Sequence, residues 1–378
     1  GQVTRTDTSS YEAVAVHCGG RVRNRTPGGY LQDSWRLTDR VTVNVGLRWS
    51  AQFITNGSGR VVQEFLDEWQ PRAGFSWQIG RLGSQRLFGS YGRVYEVLPS
   101  YLANWYLTGG TFVNSYYSTD PRQPGAVRDS VADWSTVEPD SLVSTRGAQL
   151  DNFDEFTLGY ERLLGVGTRL TVRGLYRHLR AAYLYGCDYS RTPACVFGTP
   201  GRGDFDFLPA AKRDYTALEI AVEGAWRALR YRASYVLSRT WGNYTGLFSS
   251  DREDEEGFYP GENATFMFPE QVPNSTGLLP NDRTHVVKAS AAYGFRFGLE
   301  GGVSLSAGSG SPLNEFAASS SMSYWCPEFL VPRGTAGRAP FLWNVDLRLA
   351  YTLPVRGGLR TRILLDVLHL GNPRRATR

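Results

Sequence analysis

Lysine is almost missing from this chain of 378 residues, occurring only at positions 212 and 288; arginine supplies nearly all of the 41 basic residues, against 36 acidic ones, for a formal charge of +5. A basic chain raises nucleic-acid binding, but that needs its cations gathered on one face or helix, and these arginines are scattered about one or two to a strand-like run, a pattern of codon usage and not of a binding footprint. Long apolar runs are missing too. Nothing approaches the ~18 consecutive apolar residues of a spanning helix, which excludes a helical membrane protein. Cysteine is scarce: the four at 18, 187, 195 and 326 are too few for a disulfide framework and show no C-x2-C metal spacing. Cys187 and Cys195 bracket a short segment and either close a loop disulfide in an oxidising compartment or stay as free thiols. No apolar leader region follows Gly1, so a signal peptide has been removed or the chain is an internal fragment.

What the chain does have is aromatics, at 13% with 21 Tyr and 10 Trp, and 42 glycines. Its mean hydropathy of −0.33 is compatible with a membrane barrel, in which only alternate residues of each strand are apolar and the loops are polar. Alternation is everywhere. "RVTVNVGLRWS" (40–50) sets Val41, Val43, Val45, Leu47 and Trp49 against Thr42, Asn44, Gly46 and Arg48. "TALEIAVEGAW" (216–226) and "LRYRASYVLSR" (229–239) repeat the pattern, as do runs at 156–162, 168–179, 285–293, 343–351 and 359–370. Helical spacing fits none of them.

The connections alternate as well. Tight links at 37–40, 164–167, 227–228, 296–298 and 354–358 take turns with long stretches near 51–67, 96–152, 180–213, 243–281 and 310–340. A Greek-key sandwich has no reason to keep that rhythm, whereas outer-membrane barrels have short periplasmic turns and longer extracellular loops. About twelve strands of roughly 9–13 residues fit the 9–11 needed to cross hydrocarbon, longer than the 5–6 typical of soluble strands. The expected fold is therefore all-β, a transmembrane antiparallel up-and-down barrel. Residues 1–28 read as an irregular segment, 29–371 as barrel with the long loops outside the cell, and 372–378 as a tail.

One row of side chains is then expected to line a wet lumen: Asn44, Arg48, Arg169, Arg173, Glu219, Glu223, Arg230, Arg232, Lys288, Asp346, Arg348, Arg360, Arg362 and Asp366. These arginines either select an anionic or peptide-like cargo or pair with inward Glu155, Glu161, Glu219, Glu223, Asp346 and Asp366; pairing is the better account of any single one. The opposite row ends in Trp35, Trp49, Trp77, Trp226, Tyr235, Tyr293 and Tyr351, expected as aromatic girdles at the two membrane interfaces.

With these strands placed, the sequence resembles the C-terminal barrel region of a TonB-dependent outer-membrane receptor of the Oar-like branch. The matching segments include "YLQDSWRLTDRVTVNVGLRWS" (30–50), "PRAGFSW" (71–77), "DEFTLGYERLL" (154–164), "YTALEIAVEGAW" (215–226), "LPNDRTHVVKASAAYGF" (279–295), "PRGTAGRAPFLWNVDLRLAY" (332–351) and "LLDVLHL" (364–370), in the family's order. The resemblance implies a barrel of 22 strands with a plugged lumen, of which about half the wall is present here. Nothing resembles the plug or the box that contacts TonB, nor a final strand closing in an aromatic. It further implies a Gram-negative outer membrane, contact with its lipid, and a TonB-type energy-coupling protein acting through the missing plug on an unidentified ligand, with no nucleic acid and no cofactor.

Enzymatic readings are weaker. Asp282, His285 and Ser290 could be imagined as a hydrolytic set, but no G-x-S-x-G elbow occurs and "AGSGSP" (307–312) suits a turn. The acidic run at 249–263, with Asp251, Glu253, Asp254, Glu255 and Glu256, lacks the EF-hand spacing and reads as a solvated loop. The expectation is a transporter barrel, with a passive porin or structural surface barrel as the alternative and a secreted soluble glycan-binding β protein as the third reading.

Overall fold

Strict two-residue alternation puts the polar side chains of each run on one face and the apolar ones on the other, so the strands pair into a sheet with two chemically opposite surfaces. The computed structural model describes residues 2–5, 11–17, 23–55, 59–100, 111–135, 147–165, 167–192, 194–247, 265–317, 328–353 and 361–370. Twelve of its strands form the wall: β1 (Gly28–Arg36), β2 (Val41–Thr55), β3 (Val61–Ile79), β4 (Gln85–Tyr95), β5 (Asn152–Leu163), β6 (Thr168–Ala181), β7 (Arg213–Trp226), β8 (Leu229–Gly242), β9 (His285–Gly294), β10 (Leu299–Gly308), β11 (Leu342–Leu353) and β12 (Thr361–Val367). Each pairs antiparallel with its neighbour in the chain, so spatial order is sequence order from β1 to β12. Two short segments, Arg23–Arg25 and Gly277–Leu278, complete this 14-stranded sheet. No helix of the described residues is long and apolar enough to cross a membrane, which leaves crossing by strands untouched.

Three expectations about extent need correction. Residues 51–67 are not a long loop: β2 runs to Thr55 and β3 starts at Val61, leaving 56–60 between them. Ala51, Gln52, Ile54 and Phe65 are all buried, because other chain covers this end of the hairpin, and polarity no longer alternates where both faces are covered. Segments 1–28 and 96–152 hold strands of their own. Gln2–Arg5, Tyr11–His17, Thr111–Tyr117 and Arg128–Ser135 form a separate four-stranded antiparallel sheet. Strand lengths therefore spread from 7 residues in β12 to 19 in β3, wider than the expected 9–13.

The hydrophobic core gathers where the strand ends meet the long connections. One cluster joins Phe153, Leu179, Leu184, Phe205, Leu208, Tyr244 and Phe266; another joins Ile54, Phe65, Leu98, Leu150, Tyr183 and Phe197. Both sit at the end of the wall where the long connections emerge. These connections fold on one another and across the polar face, as Gln52 shows. Its side chain donates to the Leu98 carbonyl at 3.0 Å and accepts the Leu98 N–H at 3.0 Å, clamping the segment after β4 over that face.

Candidate functional site

Two adjacent register rows display the chemistry of the wall. One runs through Arg169, Glu223, Arg232, Ser290, Ser304 and Asp346 on six consecutive strands. The row one residue away runs through Leu170, Val222, Ala233, Ala289, Leu305 and Val345. Register puts Asn44, Arg48, Arg173, Glu219, Arg230, Lys288, Arg348, Arg362 and Asp366 on the same face as the first of these rows. Arg360 lies outside the described residues.

The polar face is laced by cross-strand ion pairs. Arg177 Nε donates to Glu155 at 2.9 Å, Arg173 Nε to Glu219 at 2.8 Å, Arg86 Nη2 to Glu161 at 3.2 Å and Arg348 Nε to Asp366 at 2.6 Å. Arg169 reaches back to Glu161 at 3.8 Å, and Arg230 and Arg362 share Glu300 at 3.9 and 3.2 Å. Asp346 accepts instead from Asn344 and from the His369 N–H. Each such exposed pair is worth about 0–1 kcal/mol, so the face is held wet and neutralised rather than clamped. A basin of about 670 Å³ opens on it near the short turns, where Arg169, Glu223, Arg230 and Arg232 line its sides.

The opposite face is predominantly apolar. Leu218 (42% exposed), Val303 (42%) and Leu349 (48%) stand on it with no second layer over them. Such a continuous exposed apolar surface marks an interaction face and not solvent. Its two borders are parallel lines. Trp69 and Trp77 on β3, His285 and Tyr293 on β9, and Trp343 and Tyr351 on β11 are each eight residues apart, about 26 Å along a strand. Both lines drift relative to the hydrogen-bond rows. Trp35 on β1 lies in register with His285, eight residues short of Tyr293, eight strand steps away. One residue of drift per strand corresponds to a strand tilt of about 35°. The seven aromatics anticipated therefore divide: Trp35, Trp77, Trp226, Tyr293 and Tyr351 border the short turns, while Trp49 and Tyr235 belong to the other border. Trp69 and Trp343 join that second border. Trp69 escaped a reading of the sequence because it follows directly on a stretch read as loop.

Beyond the second border the folded connections are tied by buried carboxyl groups. Asp151, fully buried, accepts the Tyr183 N–H at 2.7 Å and the Tyr244 hydroxyl at 2.8 Å; burial pushes its carboxyl up to about 7. Asp282, also fully buried, accepts the Thr240 N–H at 2.6 Å and Arg338 Nη2 at 2.5 Å. Cys187 and Cys195 face each other across a short hairpin and are joined as a disulfide. Cys18, Cys326 and the acidic run at 251–256 lie outside the described residues.

The imagined hydrolytic set is not assembled. His285 Nδ1 meets the Tyr235 hydroxyl at 2.8 Å on the apolar face, Ser290 projects from the polar face, and Asp282 is spent on Thr240 and Arg338. No group of three or more His, Cys, Asp or Glu able to hold a metal ion occurs among the described residues.

Known proteins agree with this geometry. A family model described as TonB dependent receptor-like β-barrel matches residues 3–117. The TonB-dependent transporter Oar of Myxococcus xanthus is 26% identical over 396 residues, covering 93% of this chain and 36% of that protein. In fold, the wall is similar to the FrpB iron transporter of Neisseria meningitidis, with a TM-score of 0.54 at 12% identity over 98% of this chain and 49% of that one. It is similar as well to FpvAI in its complex with pyocin S2, with a TM-score of 0.54 at 11% identity over 93% of this chain and 35% of that one. The chain thus spans between a third and a half of the length of these relatives. An up-and-down wall with one wet and one apolar face is similar along nearly its whole length to the sequence of a TonB-dependent transporter, over residues 3–117 to the TonB dependent receptor-like β-barrel family, and in fold to FrpB and FpvAI.

Proposed function

We propose that the chain is wall and loop cap of an energy-coupled outer-membrane transporter, whose polar face borders the passage for a bulky solute and whose apolar face meets lipid. The observation that carries this is the pair of adjacent register rows, all polar beside all apolar across six strands. Eight residues of strand tilted by about 35° span about 22 Å along the membrane normal, close to the ~25 Å apolar band of outer-membrane barrels. That agreement supports the two borders as interfacial girdles. Folding of the long connections over the polar face supports the same assignment, since loops that guard a passage lie across its mouth. On this reading the loops are extracellular and capture the solute. The ion pairs between neighbouring strands favour arginines that neutralise their own wall over a tuned anion filter.

The passive-porin reading is separated by conductance. The full-length protein in a planar bilayer is expected to show no steady current without its energy-coupling partner, because a plugged lumen is closed at rest. A steady ohmic pore in the purified protein would transfer the wall to a porin.

A further inference from the structure

The apolar face is interrupted by an open depression. A groove of about 560 Å³ opens on it across β2 to β6, walled by Phe75, Phe156, Leu158, Tyr91 and Tyr176. Gly89 and Gly174 flank Leu158 on opposite sides in its floor; the Phe75 ring lies over Gly89, while the space over Gly174 is open. Its lining is nearly all carbon, and it lies wholly inside the band between the two borders.

The end of the groove nearest the loops is charged. One pleat repeat beyond Tyr91, Phe156 and Tyr176, about 7 Å, the same face presents Arg93, Asp154 and His178. Asp154 takes two hydrogen bonds from Arg93, at 2.8 and 3.1 Å, and is shared with Arg180 at 3.5 Å, so one carboxylate serves two guanidinium groups. His178 is held by Asp214 at 2.7 Å, and exposed Arg239 follows two strands along, in the register row of Tyr176. Three guanidinium groups thus face two carboxylates at the rim of a carbon-lined slot. Cations at the headgroup level with a slot for a chain beneath them are complementary to an amphiphile with an anionic head.

We infer that this groove and its arginine rim form a binding site for one phosphorylated membrane lipid of the leaflet on the loop side, the phosphate on Arg93 and Arg180 and an acyl chain running past Tyr176 into the open space over Gly174. The site rests on the reading of the apolar face as lipid-facing. It is more specific than general lipid contact because the slot and the cations above it occur together here.

Gly174 permits a clean test. A Cβ built there meets nothing closer than the Leu158 carbonyl oxygen at 3.9 Å, and its backbone is ordinary extended strand, so Gly174→Leu fills the groove without strain. Gly301, on the same face of β10 with comparable room, is the control. The full-length protein, extracted and delipidated in detergent, is titrated with phosphatidylglycerol or phosphatidylcholine and bound lipid is counted by native mass spectrometry. Wild type and Gly301→Leu are expected to retain one phosphatidylglycerol at least tenfold better than phosphatidylcholine. Gly174→Leu is expected to lose that retention for both lipids, and the double variant Arg93→Gln, Arg180→Gln to lose only the preference. Gly174→Leu binding phosphatidylglycerol as well as wild type would overturn the site while leaving the membrane wall standing. Recovery of the full-length protein in the soluble fraction would overturn both.

Discussion

Val303→Arg is expected to destabilise the folded wall by about 2–4 kcal/mol, the cost of placing a guanidinium near the middle of the hydrocarbon. Ser304→Arg, one residue along the same strand, is expected to be nearly neutral. Val303 lies between Ala291 and Leu347 in the apolar face, whereas Ser304 lies between Ser290 and Asp346, so its arginine reaches water and finds a carboxylate one strand away. Urea unfolding of the full-length protein in lipid vesicles, followed by tryptophan emission, measures both. The contrast between neighbours carries the argument, because a general intolerance of the strand to substitution would affect them alike.

The second large effect is a pH dependence of the folded connections. Asp151 ties the start of β5 to Tyr183 beyond β6 and to Tyr244 beyond β8, and its carboxyl is pushed up by burial from the ordinary 3.8 to about 7. Nearby Glu96 adds to the rise and Arg213 opposes it; burial pushes Glu96 up as well. A folded-state value raised above the unfolded one means that the folded cap binds the proton more tightly. Its stability is therefore full below about pH 4, falls as pH rises toward 7, and is level above that. Three pH units correspond to about 4 kcal/mol. Asp151→Asn keeps an acceptor for the Tyr183 N–H and removes this carboxyl's titration, so the difference in its cap's stability between pH 5 and pH 8 is expected to shrink to what Glu96 contributes. Hydrogen exchange at 181–185 and 244–245, corrected for intrinsic rates, reads the difference directly. A wild-type cap as protected at pH 8 as at pH 5 would contradict the assignment.

Much of the wall was legible in the sequence because alternation reports burial on one face only. Where one face of β9 meets water and the other does not, Lys288 and Ser290 alternate with Val287, Ala289 and Ala291, and the strand reads itself. Where chain covers both faces, as at Ala51 to Ile54 and at Phe65, the pattern fades and strand looked like loop. Partners on neighbouring strands of the polar face were also within reach, and Arg173 with Glu219 lies among the residues anticipated to pair. Asp282 with Arg338 and Asp151 with Tyr244 were not, since 56 and 93 residues separate the partners and no spacing rule spans two long connections. The aromatic borders were half visible. Tyrosine and tryptophan at strand ends point to an interface, but the drift of one residue per strand emerges only once the register is known.

The most direct measurement places a nitroxide in turn at each residue from 286 to 293 of β9 in the full-length protein in lipid bilayers, and compares relaxation by oxygen with relaxation by a water-soluble nickel chelate. Labels at 287, 289 and 291 are predicted to favour oxygen, those at 288 and 290 nickel, with the contrast fading at 293 near the border. Odd positions open to the chelate, or no alternation along the strand, would contradict a wall with lipid on one side and water on the other.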